Sequence, residues 1–124
     1  MPIRGTVLIA DDHELARQLA VKYFDRLGFA ALQAENGTQA VELFRERAGE
    51  IDLVLLDLRM PSMGGAEALR AILELDAGVR VLMWSGDATD EEVGELLATG
   101  ALAFLQKPLT FERLSEALRD VLGD

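Results

Sequence analysis

Asp52-Leu53-Val54-Leu55-Leu56-Asp57 sets four consecutive apolar residues between two carboxylates. A run this short and unbroken, with no polar residue alternating through it, reads as a strand covered on both faces. Such strands belong to parallel sheets with a helix layer on each side, and this one is expected to end at Asp57. The same pattern recurs in both directions along the chain. Upstream, residues 6–10 form an apolar strand that halts at Asp11-Asp12; Leu15, Leu19, Ala20, Phe24 and Leu27 then repeat at helical spacing until Gly28 stops them. A weaker strand over 30–34 follows, then a helix over 38–47 with Ala40, Val41, Phe44 and Ala48 on its apolar face. Downstream, Gly64-Gly65 lead into a helix over 66–75, residues 79–84 make a strand ending at Ser85, and a helix over 87–99 is closed by Gly100. A last strand over 102–105 precedes Lys107-Pro108 and a helix over 110–122, whose first turn is bracketed by Thr110 and Arg113. Five strands alternating with five helices predict one α/β domain over residues 1–124, a doubly wound parallel sheet with ligands at its carboxyl edge.

Composition narrows the function classes. The 124 residues allow one compact core, and 22 acidic against 12 basic side chains give a charge of -10. That balance argues against direct nucleic-acid binding and against an anionic membrane surface. The absence of cysteine excludes disulfides, thiolate catalysis and sulfur-ligated zinc, and a reducing cytoplasm is the expected setting. No apolar run approaches the length needed to cross a bilayer, and the N-terminus carries no signal segment, so a soluble protein is expected.

Every polar residue suited to chemistry directly follows a strand: Asp11 and Asp12 the first, Asp57 the third, Ser85 the fourth, Lys107 the fifth. In this architecture those strand ends share one rim. Carboxylates gathered there repel one another unless a cation neutralises them, which implies a hard divalent ion. Magnesium suits better than calcium, because it takes a few carboxylate oxygens, keeps several waters and leaves a position for a phosphate oxygen. One carboxylate can then attack phosphorus, with Asp57 on the central strand as nucleophile, Lys107 supplying positive charge and the Ser85 hydroxyl a hydrogen bond.

The segments from Val7 to Asp12, Leu55 to Gly65, Met83 to Gly86 and Gly100 to Pro108 together resemble the bacterial response-regulator receiver domain, in order and in spacing. That resemblance implies a flavodoxin-like sheet of order 2-1-3-4-5. It implies that Asp57 is the phosphoacceptor and that Asp12, Asp57 and the backbone carbonyl of Arg59 ligate Mg2+, with Asp11 acting mainly through bound water. Ser85 and Phe104 are implied as the switch pair, Lys107 as a phosphoryl contact, and the Lys107-Pro108 bond as cis. The implied partners are a sensor histidine kinase or histidine phosphotransfer protein upstream, and downstream a protein target or output domain met by the fourth helix, fifth strand and fifth helix. The domain would be a signalling switch rather than an enzyme acting on external substrates. Arg59 and Asp87 occupy positions where the family tunes loss of its phosphate.

Each feature alone has a plainer explanation. Acid pairs cap helices, Lys-Pro marks a turn, Ser85-Gly86 could be a turn, and Phe104 could be core. Their coincidence at four strand ends favours the functional reading. His13, the only histidine, is read as solvated and without a role. Gly65 reads as a position with no room for a side chain, whereas Gly64 leaves the third helix without a side-chain cap. The fourth helix has no Lys or Arg, which argues for a monomer over the charged dimer face of receivers joined to winged helices; phosphorylation-dependent dimerisation is the variant left open. A dehalogenase-type phosphatase would want a second Asp where His13 stands, and a flavin-binding protein would want a Gly, Ser or Thr-rich loop where Asp11-Asp12 stand. A degenerate receiver would lack the five functional positions kept here. Two settings stay open, a stand-alone regulator or a piece of a larger regulator or hybrid kinase.

Overall fold

The unbroken apolar strands are buried on both faces, and their period of two divides the core into two layers. The computed structural model describes residues 4–123. Strands β1 (Gly5–Ala10), β2 (Phe29–Ala34), β3 (Leu53–Asp57), β4 (Arg80–Ser85) and β5 (Ala103–Gln106) alternate with helices α1 (Glu14–Arg26), α2 (Gly37–Arg47), α3 (Gly65–Leu75), α4 (Asp90–Thr99) and α5 (Phe111–Leu122). All pairings are parallel, in the order β2-β1-β3-β4-β5. Leu8, Val54, Leu56, Val81 and Met83 pack with Phe44, Leu69 and Ile72 of α2 and α3. Val7, Ile9, Leu53, Leu55, Leu82 and Trp84 turn the other way, onto Phe24 of α1 and Leu114 and Leu118 of α5. Because the chain leaves β1 toward opposite ends of the sheet, connections on its two sides diverge and open a crevice over the carboxyl ends of β1 and β3.

Two sequence expectations are corrected. The first is the apolar face of α1: Leu15 is 82% exposed and Leu19 40% exposed, although Ala20 and Phe24 are fully buried. Arg17, rather than either leucine, faces inward, its Nη1 donating to the Asp11 carbonyl at 2.8 Å and its Nε to Gln33 Oε1 at 3.0 Å. Residues 17, 20 and 24 therefore form the inner stripe, and Leu15 and Leu19 lie about 200° around the helix from Arg17 at 3.6 residues per turn. The two leucines line an apolar groove with Ala16, Pro108 and Leu109 that ends at Lys107.

The second correction is the start of α4, at Asp90 rather than 87. Residues 87–89 stay outside the helix because Asp87 bonds back to Ser85 and Thr89 is the N-cap. The Thr89 hydroxyl accepts the Glu92 N–H at 3.1 Å, and Glu92 Oε1 accepts the Thr89 N–H at 3.0 Å, a reciprocal capping box. Thr89→Ala should lower the unfolding free energy by about 1 kcal/mol in urea titrations, through fraying of α4 alone. An unchanged midpoint would show that the box carries no stability.

Candidate functional site

The sheet register places the polar residues at one edge: Ala10 lies opposite Leu56, Asp57 opposite Trp84, and Ser85 opposite Gln106. One residue past β1, Asp11 is fully buried, whereas Asp12 is exposed. Asp57, the last residue of β3, is 4% exposed, and Ser85, the last of β4, is 1% exposed. Asp11, Asp12 and Asp57 each offer a carboxylate oxygen within 4.8 Å of the others. Lys107, one residue past β5, brings its Nζ to 2.6 Å from Asp11 Oδ2 and 3.3 Å from Asp57 Oδ1. Its ammonium also lies 4.5 Å from the centre of the Trp84 ring, a cation–π contact that fixes its height over the sheet.

One ammonium against three carboxylates leaves the pocket negative. Burial pushes the Asp57 carboxyl up from 3.8 to about 6, and the charge of Asp11 adds to the rise, with Lys107 opposing it and Asp12 contributing least. Clustered hard oxygen donors with an unneutralised charge, partly buried and open on the Asp12 side, fit a divalent cation that prefers oxygen ligands. Asp11 is already committed on both oxygens, Oδ2 to Lys107 and Oδ1 to the His13 backbone N–H at 2.9 Å. Asp12 and Asp57 are left as the freer donors. His13 serves through its backbone, and its side chain does not cap α1.

The remaining sequence-predicted residues lie on β4, β5 and the connections that follow β3 and β5. Arg59 lies two residues past Asp57 in the loop to α3, and its side chain turns toward the connection between β4 and α4. The Ser85 hydroxyl donates to Asp87 Oδ1 at 3.0 Å. Phe104 sits on β5 opposite Met83, half-buried against the α2 and α3 side of the core. The Lys107-Pro108 bond is cis. Gly64 is the N-cap of α3 with no side-chain cap, as read from the sequence, and a Cβ on Gly65 would overlap the carbonyl oxygen of Asp57 itself. Sequence reasoning missed two residues. Arg17 carries a buried positive charge under the Asp11 peptide, and Glu92 grips Arg59 with both oxygens. The only sequence signal for Arg17 was a charged residue at helical spacing with the buried Ala20 and Phe24; for Glu92 it was the Thr89-to-Glu92 box.

A family model described as the response regulator receiver domain matches residues 7–119. The chain belongs to the response regulator receiver family. This receiver is 36% identical over 118 residues to the chemotaxis protein CheY of Bacillus subtilis, covering 94% of this chain and 97% of that protein. It is 40% identical over 121 residues to the autoinducer 1 sensor kinase/phosphatase LuxN of Vibrio campbellii, covering 96% of this chain but only 13% of the kinase. The receiver thus spans a small part of that relative and nearly all of the chemotaxis protein. Among solved structures it is similar to the Borrelia burgdorferi complex of CheX with CheY, BeF3 and magnesium, with TM-score 0.93 and 32% identity over 97% of this chain and 90% of that one. As a receiver domain of two-component systems it is a signalling switch, with the flavodoxin-like order 2-1-3-4-5. No helix among the described residues is long and apolar enough to cross a membrane.

Proposed function

We propose that the receiver, as one domain over residues 1–124, takes a phosphoryl group onto Asp57 from a phosphohistidine of a sensor histidine kinase or histidine phosphotransfer protein, and that this switches the face made by α4, β5 and α5. The observation that carries the reading is a buried carboxylate, Asp57, at the end of the central strand, within 4.8 Å of two further acids and 3.3 Å from a lysine ammonium. In the transfer an Asp57 oxygen forms a bond to phosphorus, the bond from phosphorus to the donor imidazole nitrogen breaks, and the imidazole leaves with the electron pair. Lys107 meets the charge on the phosphoryl oxygens, and because Asp11 and the Trp84 ring both hold it, it needs little reorganisation to do so. Asp12, Asp57 and the Arg59 carbonyl would hold Mg2+, with Asp11 acting through water. The ion supplies positive charge that relieves the carboxylates and orients a phosphoryl oxygen.

Ser85 then exchanges its bond to Asp87 for one to the phosphoryl group, and Phe104 turns into the space it vacates. The phosphoryl group needs to favour this arrangement by only a few kcal/mol to make it dominant. A monomer in the cytoplasm, acting on a protein target or output domain and without direct nucleic-acid contact, fits the acidic surface and the absence of Lys and Arg from α4. The acidic loop after β1 and the pairing of Lys107 with the buried Asp11 support this reading over a flavin site.

The test is incubation with acetyl phosphate, read by intact mass. One phosphoryl unit should be added in magnesium buffer and none after chelation with EDTA. Equal modification with and without the ion would remove the proposed role of the acidic cluster.

A further inference from the structure

Arg17 is the only positively charged side chain that is buried among the described residues, 6% exposed, and no step proposed at Asp57 uses it. Helical side chains lean toward the N-terminus of their own helix, so from the first turn of α1 this one reaches back to the loop that follows β1. There its Nη1 donates to the Asp11 carbonyl at 2.8 Å, and its Nε donates to Gln33 Oε1 on β2 at 3.0 Å. Gln18 Nε2 donates to the same Gln33 oxygen at 2.9 Å, which ties that acceptor to α1 a second time. Among the described residues the guanidinium forms no ion pair with a carboxylate; the acceptors that hold it are neutral oxygens. Withdrawing a guanidinium from water for neutral oxygens alone is costly, so a salt bridge does not account for it. What it fixes is a peptide.

That peptide joins Asp11 to Asp12. The Asp11 N–H donates to the Ala34 carbonyl at 3.1 Å, its Oδ1 accepts the His13 N–H, its Oδ2 pairs with Lys107, and its carbonyl accepts Arg17. All four polar atoms of Asp11 are therefore engaged. Asp12 differs, because its side chain is exposed and takes its direction from the peptide plane that carries the Asp11 carbonyl. Rotation of that plane would swing the Asp12 carboxylate away from the Asp57 oxygen that now lies within 4.8 Å of it. Magnesium demands near-octahedral geometry at short distance, so a small swing of one donor weakens its hold.

We infer that Arg17 is a positioning residue for the divalent cation: by pinning the Asp11-Asp12 peptide it aims the Asp12 carboxylate at the ion and so sets the affinity of the pocket. The inference rests on the acidic cluster being the cation site. Removing Arg17 has two opposed effects. Loss of a positive charge near the acids would by itself tighten cation binding, whereas loss of the bond to the peptide would loosen it. Outer-shell bonds that orient a metal ligand are worth about ten- to a hundredfold in affinity. The guanidinium meets a carbonyl rather than any carboxylate, so the loss of orientation wins. Because the two effects differ in sign, the direction of the change identifies the cause.

The test uses Mn2+, an oxygen-preferring ion, as the probe on unphosphorylated protein, with free ion counted by its electron paramagnetic resonance signal. Arg17→Gln is the variant of choice, since it removes the charge yet keeps an amide for the polar neighbours Gln18 and Gln33. Its Kd for Mn2+ should rise about tenfold over wild type, at the lower end of that range because the lost charge works the other way. In phosphorylation by acetyl phosphate the half-saturating Mg2+ concentration should rise by the same factor, while the rate at saturating Mg2+ stays within about twofold. Gln33 is exposed, so Gln33→Ala is no threat to folding; it frees the Nε end of the guanidinium and should raise the Kd by about threefold. Tighter or unchanged Mn2+ binding in Arg17→Gln would overturn the inference, and if that variant does not fold, the same result in Gln33→Ala would do so. A lower plateau rate with unchanged half-saturation would also overturn it, since that pattern marks a merely structural arginine. A wild type that binds no Mn2+ would overturn the cation site itself, and this inference with it.

Discussion

Asp57→Asn should lose uptake of a phosphoryl group from acetyl phosphate by at least about a thousandfold, the scale seen when a nucleophile is removed from a site whose other groups stay in place. The same substitution should make the magnesium-free protein more stable, and that second effect guards the first against the charge that the variant is merely unfolded. The Asp57 carboxyl lies near 6 in the folded chain against an ordinary value of 3.8, chiefly because it is buried. Between those values the native state binds more protons at this group than the unfolded state, so the contribution of Asp57 to stability falls as pH rises from about 4 to about 6 and is level above. At neutral pH and without a divalent ion, the ionised carboxylate therefore opposes folding by about 3 kcal/mol, and asparagine removes that opposition. Urea titrations of both proteins at pH 7 and pH 4 check the sign: the advantage of asparagine should be large at the first and small at the second. Added Mg2+ should stabilise wild type and have little effect on Asp57→Asn. A variant less stable than wild type at pH 7 in EDTA would show that the pocket does not strain the ionised carboxylate.

The other large effect is Gly65→Ala. A methyl group at this first residue of α3 would run into the carbonyl oxygen of Asp57 and the Cα of Leu58, both main chain and both fixed by the central strand. Gly65 also donates its N–H to the Leu58 carbonyl at 2.9 Å, so α3 cannot retreat without losing that bond. Overpacking against a rigid backbone should lower stability by about 3 kcal/mol, and because the displaced atoms carry the nucleophile, phosphorylation should slow as well. Gly64→Ala is the natural comparison: a Cβ there meets the Leu58 carbonyl only at an ordinary 3.6 Å, so its effect should be small. Equal behaviour of the two variants would mean that the close approach of α3 to β3 does not constrain the site.

The alternation of strands and helices was legible because each buried strand here is an unbroken apolar run, and a parallel sheet covered on both faces permits little else. The residues at the strand ends were legible for a related reason, since a carboxylate or hydroxyl directly after such a run stands out from it. Asp11, Asp12, Asp57 and Lys107 do meet at one edge, within the distances described, and Ser85 ends the neighbouring strand β4 at that same edge. Hydrophobicity failed on Leu15 and Leu19, because a sequence pattern weighs leucine above arginine for an inward position and cannot see that the Asp11 carbonyl needs a donor from Arg17. The start of α4 was misplaced because Asp87, taken as the first residue of the helix, is held by the Ser85 hydroxyl instead. The fork between Arg59 and Glu92 spans 33 residues, with α3 and β4 between them, and nothing local in either segment announces it.

The position of Lys107 late in the chain has a consequence for biosynthesis. Asp11, Asp12 and Asp57 leave the ribosome well before it, and their three strands can already pair, since β1 lies between β2 and β3. Until the last segment emerges, the nascent sheet holds its acids without their internal counter-ion and has an uncovered edge along β4. The charge balance of the pocket is completed only when the fifth strand delivers Lys107, among the last parts of the fold to be made.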